Sequence, residues 1–439
     1  MPPNFEDTIF APATAPGRAG VAVMRISGPQ AGAALAALTR KPLPAPRRAM
    51  RARLLDASGA AIDDALVLWF PAPKSFTGED VAELHVHGGR AVLSAVSDAL
   101  ARMPGARIAA PGEFTRRAFE HGKLDLTEAE GLADLVNAET EAQRKQSLRQ
   151  LDGALGQLYE SWRAQLIGAL AGLEADIDFP DEALPEGLPQ AARAKLATLI
   201  AQIAAHLADE RRGQRLRDGI HLAVIGPPNA GKSSLFNVIA QREAAIVAPT
   251  PGTTRDVIEV HLDLGGYPVV LADTAGLRTS TDAIEAEGVK RARARAADAD
   301  LKLLLLESPD ESFAALADDA TICVETKIDL ARDRRRIFSR DAIRVSAVTG
   351  EGVAELVSEI SRRLRDLFAQ SSAPALTRER HRAALEACVA ALRRALDARA
   401  LELIAEDVRL AARALGRITG RVDVEDVLDA IFREFCIGK

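Results

Sequence analysis

The run "GPPNAGKSS", Gly226 to Ser234, places one lysine and two hydroxyls behind a turn bounded by glycines. It satisfies G-x4-G-K-[S/T], follows an apolar run ending at Ile225, and precedes the helix-like "LFNVIA". That context lets backbone N–H groups around Gly226 and Gly231 turn toward phosphate oxygens, helped by the dipole of the following helix. Lys232 would supply a point charge to the outer phosphates, and the Ser233 hydroxyl a ligand for Mg2+. Four further segments have chemistry that fits the same ligand. "DTAG" (273–276) closes the apolar run "PVVLAD" and would put Asp273 near the metal shell; "GTTRD" (252–256) offers a threonine that completes it. In "TKID" (326–329) the Asp329 carboxylate can accept from both N1–H and N2–H2 of guanine, a pairing adenine lacks. "SAVTGEG" (346–352) would present backbone N–H groups to the guanine O6. Together they predict a guanine-nucleotide hydrolase.

Two substitutions refine that expectation. Thr326 stands where an asparagine usually assists base recognition, so guanine choice is expected to rest mainly on Asp329. Leu277 follows "DTAG" and cannot orient a water, so hydrolysis needs another base and another charge stabiliser.

The elements that must hold these groups can be read from apolar periodicity. "HLAVIG", "YPVVLAD", "LKLLLLE", "TICVETK" and "AIRVSA" alternate with helix-like stretches, predicting a parallel sheet with crossover helices. Before it, residues 1–120 read as an α+β domain: "GVAVMRIS" (20–27), "DALVLWFP" (64–71) and "VAELHVHG" (81–88) as strands, with a helix over 89–103. From Thr127 the pattern is helical, with Thr127 and Glu130 expected as a capping box. Leu148, Leu151, Leu155, Leu158 and Trp162 form one stripe. After the acidic, proline-broken "DFPDEALPEG", read as a hydrated loop, a helix is expected over 189–212. Beyond about Thr377 long helices return, with Leu385, Cys388, Leu392 and Leu396 on one face and Cys388 as a core residue. The predicted fold class is therefore α/β and α+β multidomain. An N-terminal α+β domain (1–120) is followed by a discontinuous helical domain (121–217 and 373–439) that is interrupted by a Ras-like P-loop GTPase domain (218–372).

Composition sets limits. The 439 residues carry a net charge of −6, so nucleic-acid binding must come from a local basic face. Up to residue 120 basic residues outnumber acidic ones, notably at Arg40, Lys41, Arg47, Arg48, Arg51 and Arg53, although such runs are usually solvated faces. No apolar run reaches the ~18 residues of a membrane span. The N-terminus lacks the layout of a signal peptide, and Cys323, Cys388 and Cys436 form no framework; both suit a reducing cytoplasm. His85 and His87 share a strand face, but no third metal ligand is evident.

Several runs together resemble one family: "DTIFAPATAPGRAGVAVMRISG", "SFTGEDVAELHVHGG", "PGEFTRRAFEHGKLDLTEAEGLADL", "PNAGKSSLFN", "GTTRD", "DTAGLR" and the terminal "FCIGK". The chain resembles, nearly end to end, the tRNA-modification GTPases called MnmE or TrmE. The resemblance implies a cytoplasmic homodimer joined through N-terminal domains that hold a tetrahydrofolate one-carbon donor, 5-formyl- or methylene-tetrahydrofolate. With an FAD-containing flavoprotein, MnmG, such proteins install aminomethyl or carboxymethylaminomethyl groups on C5 of the wobble uridine of certain tRNAs. It further implies GTP contacts from Asn229, Ala230, Gly231, Lys232, Ser233, Ser234, Ala248, Thr250, Gly252, Thr253, Thr254, Asp273, Thr274, Ala275, Gly276, Thr326, Lys327, Asp329, Ser346 and Ala347. Mg2+ would be held by Ser233 and Thr254. K+ would be held by Asn229 and by the loop carbonyls of Ala248, Thr250 and Thr253. Glu285 would orient the attacking water. Arg25, Glu79, Lys123 and Lys439 would grip the folate, and Cys436 is a catalytic candidate. Pro227, Pro249, Pro251 and Thr326 depart from the family pattern.

Two other readings stay open. One is a GTP-dependent ribosome-assembly or RNA-binding switch, which would not need the "TGED…HGG…PGEF" residues. The other is a folate enzyme with a regulatory GTPase. For "FCIGK" itself, prenylation fits badly, because Gly and Lys occupy the last two positions. A disulfide lacks a partner nearby in sequence. The stripe Val424, Val427, Leu428, Ile431, Phe432 and Phe435 predicts a packed helix leading the tail to its site.

Overall fold

The structure is a computed structural model that describes residues 6–178, 188–209, 211–242, 245–246, 259–272, 299–330, 342–368, 374–422, 425–433, 435 and 438. The chain forms two compact units, Met1–Ala133 with Gln150–Lys195 and Arg394–Lys439, and Asp134–Arg149 with Leu196–Arg393.

In the first unit, β1 (Thr8–Pro12), β2 (Ala19–Ser27), β3 (Met50–Leu55), β4 (Ala61–Phe70), β5 (Val81–Gly88) and β6 (Ala106–Ile108) make one sheet of order β3-β4-β5-β2-β1-β6. Alternate side chains of β2 and β5, Met24 and Ile26 with Leu84 and Val86, enter a core beside α1 (Ala31–Thr39) and α2 (Arg90–Ala101). The opposite residues, including Arg25 and Glu83, are paired across the strands on the other face. There α3 (Glu113–Glu120) inserts Phe114 against Ile9 and Ala11.

The helical chain runs through α4 (Leu126–Val136), α5 (Glu141–Leu151), α6 (Ala154–Asp178), α7 (Leu188–Leu207) and α8 (Arg212–Asp218). The capping box of α4 is displaced two residues from the expected one. Asp125 Oδ1 accepts from the Glu128 N–H at 2.8 Å, and Glu128 Oε2 accepts from the Asp125 N–H at 2.7 Å. Aspartate caps as well as threonine, and Asp125 stands three residues before Glu128 just as Thr127 does before Glu130. Thr127 and Glu130 are instead buried in the helix.

In the second unit β7 (Ile220–Ile225), α9 (Lys232–Arg242), β8 (Ala245–Ile246), β9 (Glu259–Leu264), β10 (Tyr267–Ala272), β11 (Leu301–Leu306), α10 (Glu311–Ala314), β12 (Thr321–Glu325), β13 (Ile343–Arg344) and α11 (Val353–Phe368) surround one sheet. Its order is β13-β12-β11-β7-β10-β9-β8. Five strands are parallel, as expected, but β9 runs against them, pairing antiparallel with β10 on one side and β8 on the other. The cause is legible in "DLGGYP": Gly265 and Gly266 take φ of 64° and 89°, a two-residue hairpin turn that needs glycine.

The chain closes with α12 (Glu379–Asp397), α13 (Leu401–Thr419) and α14 (Glu425–Arg433). Within the first unit α6 and α13 pack together: Arg409 reaches Glu174 at 2.8 Å and the Thr419 hydroxyl donates to Glu160 at 2.9 Å. Helices from before and after the nucleotide-binding motifs therefore cover each other's apolar stripes. Among the described residues no helix is long and apolar enough to cross a membrane.

Candidate functional site

Parallel pairing of β7, β11, β12 and β13 sends the loops after β7, β12 and β13 out at one end of the sheet. Because β10 and β11 flank β7 on opposite sides, that end is a topological switch point, where open α/β sheets bind ligands.

The loop after β7 is shaped by close approach. At Gly226 a β-carbon would fall 2.3 Å from the Leu305 carbonyl oxygen, so only glycine lets the chain leave β7 against β11. Asn229 and Gly231 take left-handed φ of 63° and 85°, and a β-carbon at Gly231 would meet nothing within 4 Å. The first N–H groups of α9 lack intrahelical acceptors, as at every helix start, and border that opening. Lys232 Nζ donates to the carbonyls of Gly226 at 3.0 Å and Pro227 at 2.7 Å, which holds the ammonium over the loop. Ser233 and Asn229 are exposed. Ser233 thus stands in the first turn where a metal-bound phosphate would be met, and the open face at Gly231 fits a phosphate chain.

Thr326 has a role that the sequence did not reveal. Its N–H donates to the Leu306 carbonyl at 2.9 Å and its hydroxyl to the Ala230 carbonyl at 2.8 Å, a buried tie between the loop after β12 and the phosphate loop. Lys327, at φ 58°, pairs with Glu307. Asp329 is exposed and its side chain is open to a ligand. Ser346 is buried, and its hydroxyl accepts from the N–H groups of Val348 at 3.3 Å and Thr349 at 3.1 Å; this turn leaves Ala347 half-exposed at its tip.

A second constellation lies in the first unit. Arg25 donates to Glu83 at 3.1 Å, with its guanidinium 5.2 Å from the Phe76 ring and 5.8 Å from that of Phe114. Glu79 accepts from the Ser27 hydroxyl at 2.6 Å and from Arg117 at 3.0 Å. Lys123 donates to the Pro73 carbonyl at 3.1 Å. It lies along the loop that carries Glu79, because a β-carbon on Gly78 would touch the Lys123 stem at 3.6 Å. The structure therefore gathers Arg25, Glu79 and Lys123 around residues 71–80.

Sequence reasoning missed the residue that organises this loop. Arg117 is fully buried and donates to Asp7 at 2.5 Å and Glu113 at 3.1 Å as well as to Glu79. Burial alone would raise the pKa of Glu113. Bonds from Arg107, the Ala110 N–H and Arg117 outweigh it and hold the carboxyl below its ordinary range. The only signal was Arg117 itself, next to Arg116 in "PGEFTRRAFE", where a pair of arginines reads as surface.

Of the predicted stripe, Leu428, Ile431, Phe432 and Phe435 pack on Leu126, Ala129 and Ala133, while Val424 and the Val427 side chain lie outside what is described. Gly438, at φ 98°, lies so close to β1 that a β-carbon would sit 2.0 Å from the Pro12 oxygen. His87 pairs with Asp63 at 2.7 Å and His85 lies 3.5 Å from Glu83, so each histidine faces an acid. Among the described residues no group of His, Cys, Asp or Glu is arranged to hold a metal ion by itself. Cys388 is buried in the core, its thiol pushed up to about 12 by burial. Ala248, Thr250, Gly252, Thr253, Thr254, Asp273, Thr274, Ala275, Gly276, Glu285, Cys436 and Lys439 lie outside the described residues, as does the loop "DFPDEALPEG" but for Asp178.

Comparison with known proteins adds an independent finding. Residues 126–436 match the family model of the MnmE helical domain, and residues 8–123 that of the GTP-binding protein TrmE N-terminus. The tRNA modification GTPase MnmE of Rhodospirillum rubrum is 58% identical over 99% of both chains. That of Paramagnetospirillum magneticum is 58% identical over 99% of this chain and 100% of its own. That of Parvibaculum lavamentivorans is 57% identical, again over 99% and 100%. Among solved structures, the G domain of the T. maritima FeoB iron transporter is 28% identical over 33% of this chain and 98% of its own, with a TM-score of 0.25.

Proposed function

This chain belongs to the MnmE family of tRNA modification GTPases, and we propose that it uses K+-dependent GTP hydrolysis to drive C5 modification of the wobble uridine of certain tRNAs. It is a GTP hydrolase that acts in tRNA modification. The observation that carries the finer reading is the coexistence of two prepared sites in one chain. One is the phosphate loop with Lys232 held over it; the other is the Arg25, Glu79 and Lys123 cluster.

In this reading the phosphates of GTP displace the Gly226 and Pro227 carbonyls from Lys232. Ser233, with Thr254, holds Mg2+, and Asp273 supports its shell. Asn229, with the carbonyls of Ala248, Thr250 and Thr253, holds K+. Bound there, K+ would supply the positive charge that an arginine finger supplies elsewhere. Glu285 orients the water in place of the glutamine missing at Leu277, and Asp329 with the Ala347 N–H reads guanine.

Arg25, Glu79, Lys123 and Lys439 hold a tetrahydrofolate derivative that supplies the one-carbon unit, and a flavoprotein of the MnmG type completes the modification. Arg25 between two aromatic rings and Glu79 anchored by Arg117 suit a flat heterocycle that bears N–H donors. The protein acts as a cytoplasmic homodimer. The domain limits proposed are 1–120, 121–217 with 373–439, and 218–372.

The test is hydrolysis in K+ against Na+. Rates should be many-fold higher in K+, with Asn229→Ala removing most of the difference and Glu285→Ala abolishing turnover while GTP affinity is kept. Equal rates in the two salts would reject the cation role.

A further inference from the structure

Five cations gather on the exposed surface of the first unit, beside the loop that carries Glu79. Arg47 takes a left-handed φ of 60° and its N–H donates to the Trp69 carbonyl at 2.9 Å, which pins the chain just before β3. Its guanidinium then donates to the Lys74 carbonyl, while Lys123 donates to the neighbouring Pro73 carbonyl at 3.1 Å. Arg47, Lys74 and Lys123 therefore meet on two consecutive residues, and Arg48 and Arg51 follow Arg47 along the chain, Arg51 within β3. All five are exposed.

The acids nearby are already engaged. Asp63 is held by His87, Asp64 by Arg53 at 3.0 Å, Glu79 by Arg117, and Asp80 by the Ala72 N–H at 2.9 Å. Arg53 and Arg117 bring opposite charges to Asp64 and Glu79, while Asp63 and Asp80 keep their own, so the five cations still outnumber the acids left beside them. The result is a local positive ridge on a chain whose net charge is −6. Such a ridge favours a polyanion by releasing its counterions, and its strength depends on salt.

We propose that Arg47, Arg48, Arg51, Lys74 and Lys123 form a track for the phosphate backbone of the substrate RNA, leading the anticodon arm to the cluster at Glu79. The proposal rests on the reading of the chain as acting on tRNA; it adds where the RNA lies. Arg48 and Lys74 are the informative positions, because neither side chain makes a contact that the fold needs. The assay is fluorescence anisotropy of labelled tRNA with the full-length protein across a KCl series. It compares wild type, the pair Arg48→Glu with Lys74→Glu, and the conservative pair Arg48→Lys with Lys74→Arg. Binding of a fluorescent GDP checks that each variant is folded.

The charge-reversed pair should weaken tRNA binding about tenfold or more near 0.1 M salt and reduce the salt slope by roughly two, while the conservative pair stays near wild type. Unchanged affinity and slope in a folded reversed pair would overturn the track and leave the tRNA reading intact. Wild-type protein that binds vesicles of anionic phospholipid but not tRNA would also overturn it, in favour of a membrane surface. Failure of the tRNA reading itself would appear separately, as unaltered wobble-uridine modification in cells lacking the protein.

Discussion

The hydroxyl of Thr326 is the most informative single group in the nucleotide site, and Thr326→Val removes it while keeping the shape of the side chain. The bond it loses runs to the Ala230 carbonyl at 2.8 Å, and both Ala230 and Thr326 are buried. The Leu306 carbonyl, 3.4 Å from the same hydroxyl, loses nothing of weight because it already accepts the Thr326 N–H at 2.9 Å. The damage is thus confined to one buried acceptor in the phosphate loop. Leaving such an acceptor unsatisfied costs about 1–3 kcal/mol. Without nucleotide the loop can relax and recover much of that cost, whereas bound phosphates hold it in its binding shape. The penalty then appears in affinity, and with about 1.4 kcal/mol per factor of ten it predicts a loss on the order of tenfold. The assay is stopped-flow binding and release of a fluorescent GDP, with Thr326→Ser as the control that keeps the hydroxyl. Release should quicken in the valine variant and stay near wild type in the serine one. A valine variant within twofold of wild type would refute the argument that this hydroxyl braces the phosphate loop.

The remaining predictions concern the first unit, the phosphate loop and pH. Arg117→Met orphans Glu79 more than Asp7 or Glu113, which keep Arg107, and should cost about 3 kcal/mol by urea denaturation. Adding Glu79→Gln should recover part of that, whereas simple additivity of the two costs would contradict a direct coupling. Gly226→Ala sets a methyl group against the Leu305 carbonyl and should abolish nucleotide binding with a lowered melting temperature; normal binding would show that the loop leaves β7 differently. Gly438→Ala should displace the tail from Pro12 and impair tRNA modification while GTP hydrolysis persists, and loss of both activities would point to general misfolding. His206 is depressed by burial, with Arg382 adding to the effect and Asp209 opposing it. A depressed pKa means that the unfolded chain protonates first, so this contribution is complete above about pH 6.5 and declines as pH falls toward the folded value. His206→Gln should flatten the melting temperature against pH on that acid side, and an unchanged slope would remove His206 as its source.

The nucleotide loop was legible because each of its demands falls on a residue type: glycine where β11 presses close, lysine and serine at the helix start. The strands were legible from their apolar runs, which a parallel sheet buries on both faces. What sequence could not show was which of several similar groups would be used. Asp125 rather than Thr127 caps α4, although each stands three residues before a glutamate. Arg117 looks like Arg116 in the sequence, yet one is fully buried among three carboxylates and the other pairs with Glu120 and Asp429 near the surface. The Thr326 hydroxyl bonds a carbonyl 96 residues earlier, a separation no local pattern reports. Folate, K+ and the flavoprotein partner entered through family resemblance alone.

The central claim is that GTP turnover at this phosphate loop serves wobble-uridine modification. The direct measurement is mass spectrometry of tRNA nucleosides from a strain lacking the protein, complemented with wild type or with Lys232→Ala. The account predicts that C5-modified wobble uridine disappears in the deletion, returns with wild type, and stays absent with Lys232→Ala. Unaltered modification in the deletion strain, without a second route to it, or full restoration by Lys232→Ala, would contradict it.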